Sequence, residues 1–436
     1  MKETLKEIII EEWNEKLGNL VPREILLDSI PGKATILTGV RRCGKSTYLR
    51  SFIRNKNKPY FYINFSDERL SLLLSQNLGL CLEAFYEIKP DCEGQPLCIG
   101  LDEIQMIQGW ELFVDRLLRN KLYEVYITGS SSKLLSKEIA TQMRGRSIQY
   151  EFFPFNFTEY IYPLKSPKRK LTVSEKGKFY NLSTKYIQEG GFPETRNLKK
   201  ILRFNILQEY YNTIIYKDII DRNNPKNPHA VSQCLKILIN QVGSLFSETK
   251  ILNKCKSMGL KISKSDVSEY LEWFQDCYLL SSVSVYTENI NRQMTNPKKL
   301  YCIDNGLVIA NQSGLSSNSG HLLENLVFNF LRRASDKIFY YKGKYEVDFV
   351  FTKQGQNPIL IQVCESLNSP ETKEREIKAL LEAMDDLKLK QSWIITLETH
   401  GEELITGKKI LIIPILDFIL HPNKILNPET FNVLSF

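Results

Sequence analysis

The chain has 436 residues, which gives two to four domains at about 150 residues each, and its 42% hydrophobic and 25% charged residues are ordinary for a globular protein; the net charge of +8 leans toward an anionic partner but equally suits a plain soluble surface. No apolar run approaches the ~20 residues of a membrane span; the longest, Ile410 to Leu416, is broken by Pro414 and followed by Asp417, so it reads as a buried strand and no membrane partner is expected. Nine cysteines without a C-x-x-C pair, four histidines without metal-ligand spacing and an N-terminus carrying Glu3 and Glu7 give the expectation of reduced thiols in a cytoplasmic protein.

In chain order, a helix is expected over 3–17, with Leu5, Ile8, Ile9 and Trp13 on one face. The apolar run 34–38 then reads as a strand entering Gly39-Val40-Arg41-Arg42-Cys43-Gly44-Lys45-Ser46, followed by Thr47 and a helix through Phe52. A strand, a glycine-rich turn and a helix start aim several backbone N–H groups at one point, where the helix dipole favours an anion. Gly39 to Thr47 are therefore the candidate phosphate-binding residues: Lys45 reaches the β- and γ-phosphates, and the Ser46 hydroxyl ligates Mg²⁺. A nucleoside triphosphate is the expected ligand. Motif chemistry does not by itself choose the base, although no guanine-reading Asn-Lys-x-Asp string occurs.

Strand 60–65 and a helical stretch over 69–88 precede the apolar run Leu97 to Leu101, which ends in Asp102 and Glu103. In a parallel sheet wrapped by helices, ligands sit beyond the carboxyl ends of strands. Asp102 is then placed to hold Mg²⁺ through water, and Glu103 to orient or deprotonate the attacking water. A fourth strand, 123–127, ends in Thr128-Gly129-Ser130-Ser131-Ser132; Thr128 and Ser130 are the candidates for sensing the γ-phosphate, while Ser131 and Ser132 suit a helix cap. Before the next strand, 148–153, stand Arg144 and Arg146. Arg146 is the preferred candidate for stabilising charge on the γ-phosphoryl group, from the same chain or from a neighbour in a homo-oligomer, against the plainer reading of a surface arginine.

The strings GVRRCGKST, LCIGLDEIQ with Gly109-Trp110-Glu111, ITGSSS and MRGRSIQYEFFPFNFTEY resemble the bacterial and archaeal AAA-type ATPases that carry a C-terminal domain of unknown function. GGFPE at 190–194, YYNTIIYKDIIDR at 210–222 and NPKKLYCIDNG at 296–306 extend the resemblance over nearly the whole chain. It implies an AAA-like nucleotide-binding fold and ATP as the nucleotide.

Residues 155–240 read as mainly helical, broken by the basic loop 162–170 and by the joint Gly190-Gly191-Phe192-Pro193. From Val242 to about Val285 the pattern is two helices and a turn: Ser247 caps a helix through Met258, and Ser263 or Ser265 caps a second, Asp266 to Tyr278, with Val267, Tyr270, Leu271 and Phe274 inward. Leu279-Leu280 and Val283 to Val285, with a later strand around Leu300 to Cys302, complete a winged helix. Five lysines (250, 254, 256, 261 and 264) favour double-stranded DNA, but the second helix also carries Glu269 and Glu272, and an internal packing module stays open.

The remaining strands, 338–341, 346–351, 359–364, 393–397 and 410–413, with helices at 320–327 and about 371–386, resemble the restriction-endonuclease-like fold. That resemblance implies an acid on a helix, an Asp on one strand and Glu-x-Lys on the next, the acids gathering Mg²⁺ while the lysine stabilises charge or activates water. Glu324 and Asp348 match as candidate metal ligands. Gln362-Val363-Cys364 stands in place of Glu-x-Lys, and Glu365 points to the other face of its strand, so a degenerate binding or structural domain is favoured over an active nuclease. The expected architecture is α/β: an AAA-like P-loop parallel sheet (1–160), a helical lid or connector (161–240), a winged helix-turn-helix (241–295) and a restriction-endonuclease-like domain (296–436). The expected function is a Mg²⁺-dependent ATPase moving these modules on or near DNA; the alternatives are an ATP-controlled nuclease and a non-cutting ATP-controlled switch.

Overall fold

A computed structural model of the chain describes residues 1–129, 143, 145–164, 167, 171–312 and 318–426, and divides into two units, Met1–Phe153 and Pro154–Phe436. In the first unit, α1 (Lys2–Asn14), β1 (Ala34–Gly39), α2 (Lys45–Arg54), β2 (Tyr60–Asn64), α3 (Leu80–Ile88), β3 (Leu97–Asp102), α4 (Trp110–Leu118), β4 (Tyr123–Thr128) and β5 (Ser147–Phe152) build one sheet, order β2-β3-β4-β1-β5. All its pairings are parallel. Every residue of β1 and β3 is buried, as expected of strands covered on both faces, which carry continuous apolar runs. β4 lies between β1 and β3, with Thr128 opposite both Leu37 and Asp102.

The expected first helix ends three residues early, at Asn14, and its Glu12 pairs with Arg50 at 2.7 Å and Arg54 at 2.8 Å on α2. The helical stretch expected over 69–88 is instead two 3₁₀ turns, Glu68–Leu70 and Ser75–Asn77, ahead of α3. The run Ser75-Gln76-Asn77 and Gly79 interrupts helical propensity there.

In the second unit, α5 (Val173–Glu189) starts at Thr172, whose side chain and that of Glu175 cap each other's backbone. α6 (Lys200–Thr213) runs into a π-helical turn, Ile214–Ile220, and then α7 (Pro228–Ile239). β6 (Leu245–Phe246), α8 (Glu248–Ser257), α9 (Lys264–Asp276), β7 (Leu280–Val283) and β8 (Lys298–Cys302) follow; the strands form an antiparallel sheet in the order β6-β8-β7. Ser247 caps α8, and Ser263, not Ser265, caps α9 in a reciprocal pair with Asp266. The expected boundary at 295/296 cuts β8 away from the sheet in which it is the central strand. β8 pairs with a strand up to 54 residues earlier in the chain, Leu245 standing opposite Lys299.

After α10 (Asn305–Asn311) and α11 (Ser319–Ala334) come β9 (Ile338–Lys342), β10 (Glu346–Phe351), β11 (Ile359–Val363), α12 (Pro370–Asp386), β12 (Gln391–Thr396), β13 (Gly401–Ile405), β14 (Lys408–Pro414) and α13 (Ile415–Leu420). The six strands make one mixed sheet, β13-β14-β12-β11-β10-β9. Just beyond β7, Tyr340 of β9 donates to Ser284 O at 3.0 Å and accepts from Tyr286 N at 2.7 Å, so the small sheet is stitched to the edge of the large one.

The Gly190-Gly191 joint has a packing cause. A Cβ on Gly191 would lie 2.2 Å from Phe155 O, and one on Gly190 2.1 Å from Asp304 Oδ1. Gly191 N donates to Asp304 Oδ2 at 2.6 Å, and Asp304 also caps α10 through Leu307 N. No helix among the described residues is long and apolar enough to cross a membrane.

Candidate functional site

At the carboxyl end of β1 the chain leaves the sheet through Gly39, with φ of 135°, turns at Arg42 and Gly44 in left-handed conformations, and enters α2 at Lys45. Only glycine fits at 39, since a Cβ there would lie 2.1 Å from Phe152 O on β5. The loop is held from outside as well: Arg23 donates to Cys43 O at 3.0 Å and to Phe153 O at 2.5 Å, and Cys43 Sγ donates to Phe152 O at 3.5 Å. Lys45 is buried, and its Nζ donates to the carbonyls of Gly39 and Val40, both at 2.9 Å. Val40 and Cys43 are buried, Arg41 and Ser46 half-buried, and Arg42 and Thr47 exposed.

Asp102 ends β3 and is 2% exposed, yet three elements reach it. Ser46 Oγ on α2 donates to its Oδ1 at 3.1 Å, the Thr128 hydroxyl at the end of β4 donates to the same oxygen, and Tyr62 OH on β2 donates to Oδ2 at 2.6 Å. The sheet order explains the convergence, because β4 brings Thr128 between the loop and Asp102. Glu103 follows in a left-handed conformation (φ 54°), its N–H bonded to Thr128 O at 2.9 Å and its carboxylate accepting from Gln105.

Tyr62 is a residue that the sequence reading missed. Burial and the Asp102 charge hold its phenol protonated well above the ordinary range. The available signal was Gly100 in the middle of β3: a Cβ there would lie 2.8 Å from the Tyr62 ring, and an interior strand glycine marks a close approach.

Arg146 lies at the other end of the sheet. It directly precedes β5, where its carbonyl accepts from Ala34 N at 2.9 Å, while its guanidinium is about half exposed and bonds Asp115 at 2.8 Å. Five strand steps at about 3.3 Å separate Ala34 from Gly39, about 16 Å. The parallel pairing of β5 with β1 puts residue 146 at the amino end of the sheet, away from its own loop; of the two expected settings for Arg146, the same chain and a neighbouring copy, this position favours the second. Ser130, Arg144, Ser131, Ser132 and, in the basic loop, Lys165, Ser166 and Lys168–Lys170 lie outside the described residues.

The second cluster is in the C-terminal part. Glu324 on α11 and Asp348 on β10 do converge, and between them stands a lysine that the sequence reading did not find. Lys299 Nζ lies 2.7 Å from Asp348 Oδ1, 3.0 Å from Glu324 Oε1 and 3.1 Å from Glu346 Oε1. Tyr301 OH donates to Glu324 Oε1 at 2.6 Å. Burial and the Asp348 charge raise the Glu324 carboxyl above its usual range, against the pull of Lys299 and Tyr301. Burial disfavours the Lys299 charge, but the three carboxylates outweigh it and keep the ammonium charged. Gln362 is turned inward: its Oε1 accepts from Asp348 N at 3.1 Å and its amide donates to Glu376 Oε2 at 2.7 Å. Cys364 is half-buried, its thiol donating to Ser366 O at 3.1 Å. Glu365 is not exposed, and its Oε1 is buried without a hydrogen-bond partner.

Three family models match consecutive segments: an AAA domain over residues 31–161, a domain of unknown function (DUF8612) over 181–319, and another (DUF4143) over 319–418. The last boundary falls at the start of α11, so Lys299 and the acids it meets belong to different matched domains. Uncharacterized protein MJ1544 of Methanocaldococcus jannaschii is 39% identical over 419 residues, covering 92% of this chain and 90% of that protein. An uncharacterized protein of Haemophilus influenzae is 26% identical over 393 residues, covering 88% and 94%. Among solved structures, the Walker-type ATPase PABY2304 of Pyrococcus abyssi aligns at 14% identity with a TM-score of 0.41, over 71% of this chain and 95% of that one. With 39% identity over nearly the full length of both chains, the protein belongs to the family of MJ1544, and it carries an AAA domain across the Gly39–Thr47 loop followed by two domains of unknown function.

Proposed function

We propose that the first unit binds and hydrolyses ATP with Mg²⁺. The observation that carries this is the convergence of Ser46, the residue after Lys45, with Tyr62 and Thr128 on buried Asp102. Backbone N–H groups of residues 39–47 and the Lys45 ammonium would hold the phosphates, and Ser46 with Asp102 would hold Mg²⁺, which when bound offsets charge on the phosphates. The donor set fits a hard cation, a hydroxyl and a carboxylate already 3.1 Å apart. Glu103, turned out of the strand at the next residue, orients and deprotonates the attacking water, and Thr128 keeps Asp102 aimed. Arg146, about 16 Å along the sheet from its own loop, suits a neighbouring copy's site.

Lys45→Ala should abolish nucleotide binding. Glu103→Gln should retain binding while hydrolysis stops; unchanged turnover in that variant would sink the role of Glu103.

For the output, we read α7, α8, α9 and the β6-β8-β7 sheet as a winged helix that contacts double-stranded DNA. All five lysines between 250 and 264 are exposed, which supports phosphate contact. ATPase rates with and without duplex DNA, and a salt titration of binding, test this. Salt-independent binding or an unmoved rate retires it. A restriction-endonuclease-like cutting activity at Glu324 and Asp348 is the weaker reading, since their carboxylates are already engaged by Lys299.

A further inference from the structure

We propose that Lys299 is the resident cation of the C-terminal acidic cluster: its ammonium takes the place that a nuclease-type fold would give to a divalent metal, and closes that place to metal. The ammonium donates to Asp348 at 2.7 Å and to Glu324 at 3.0 Å, and the Glu346 carboxylate lies 3.1 Å away as a third ion pair. Lys299 is 3% exposed and sits on the central strand of its sheet, opposite Leu245 on one side and Val283 on the other. Its backbone is therefore held by pairing on both sides.

Two of the cluster's oxygens have further donors. Asp348 Oδ2 accepts from Val363 N at 2.8 Å, and Glu324 Oε1 also accepts from Tyr301. The residue in the third acidic position, Gln362, brings no charge and faces Glu376. Among the described residues, no group of three His, Cys, Asp or Glu side chains is arranged to hold a metal ion. The residues present do not fit the metal that the fold implies; they fit an internal ammonium.

Energetics points the same way. Carboxylates buried this deeply need a counter-charge, and removing one member of such a cluster leaves the rest uncompensated. The lysine comes from the segment matched as DUF8612 and the acids from the one matched as DUF4143. The ion pairs thus clamp the small sheet onto the C-terminal domain, beside the backbone bonds between Ser284, Tyr286 and Tyr340.

The test uses the full chain without nucleotide, titrated with Mn²⁺ and read by calorimetry. The wild type should show no Mn²⁺ site that Asp348→Asn removes. Lys299→Ala should gain one such site, and Lys299→Ala combined with Asp348→Asn should lose it again. A wild-type Mn²⁺ site that disappears in Asp348→Asn overturns the proposal, whether or not the lysine variants fold. So does a folded Lys299→Ala protein that gains no site.

Discussion

Replacing Tyr62 with Phe removes one oxygen from a 5% exposed side chain and leaves the ring packing in place. What is lost is the 2.6 Å donation to Asp102 Oδ2, while Ser46 and Thr128 still serve Oδ1. A hydrogen bond to a charged group contributes about 1.5–3 kcal/mol, so the unfolding free energy of the first unit should fall by that amount and its urea midpoint should drop accordingly. Asp102 also loses the partner that fixes its rotation. Groups that orient a metal-binding carboxylate typically matter by about 10–100-fold in metal affinity or activity. The Mg²⁺ concentration for half-maximal ATPase in Tyr62→Phe should therefore rise about tenfold or more, with nucleotide affinity in the absence of Mg²⁺ unchanged. A variant that matches the wild type in both urea midpoint and Mg²⁺ response would refute the reasoning. It would mean that the tyrosine merely fills space.

Two predictions concern the second unit. Gly191→Ala drives a Cβ to 2.2 Å from Phe155 O, a backbone atom that cannot yield cheaply, and should cost about 1–3 kcal/mol in urea unfolding; an unchanged midpoint contradicts it. Burial raises Asp304 from 3.8 to about 6, against the backbone N–H groups of Gly191, Leu307 and Gly306. The folded form then binds more protons than the unfolded one between these values, so stability falls as pH rises from about 4 through 6, by up to about 3 kcal/mol. Melting curves from pH 4 to 8 should show this slope, and Asp304→Asn should flatten it.

Much of the nucleotide site was legible because it is local. A strand, its glycine turn and the following helix are contiguous, and Asp102 with Glu103 end the next strongly apolar strand. The sheet order was not legible: that β4 separates β1 from β3 depends on pairings between residues as far apart as Thr35 and Tyr126. Thr128 could be singled out as a strand end, but its contact with Asp102 follows only from that order. The place of Arg146 at the amino end of the sheet follows from the same kind of pairing, β5 running parallel to β1. The acids Glu324 and Asp348 were found by their elements, whereas Lys299 lies 25 residues before the first and 49 before the second, on a strand of another sheet. No periodicity links such positions, and Glu-x-Lys spacing does not reach a lysine on another sheet.

The phosphate loop also touches the point where the chain leaves its unit. Gly39 faces Phe152 in the register of β1 and β5, Cys43 bonds the carbonyl of Phe152, and one arginine, Arg23, grips both Cys43 and Phe153. Phe153 is the last residue before Pro154 begins the second unit. One guanidinium thus ties the loop to the residue that ends the unit, so displacing either strains the same pair of hydrogen bonds.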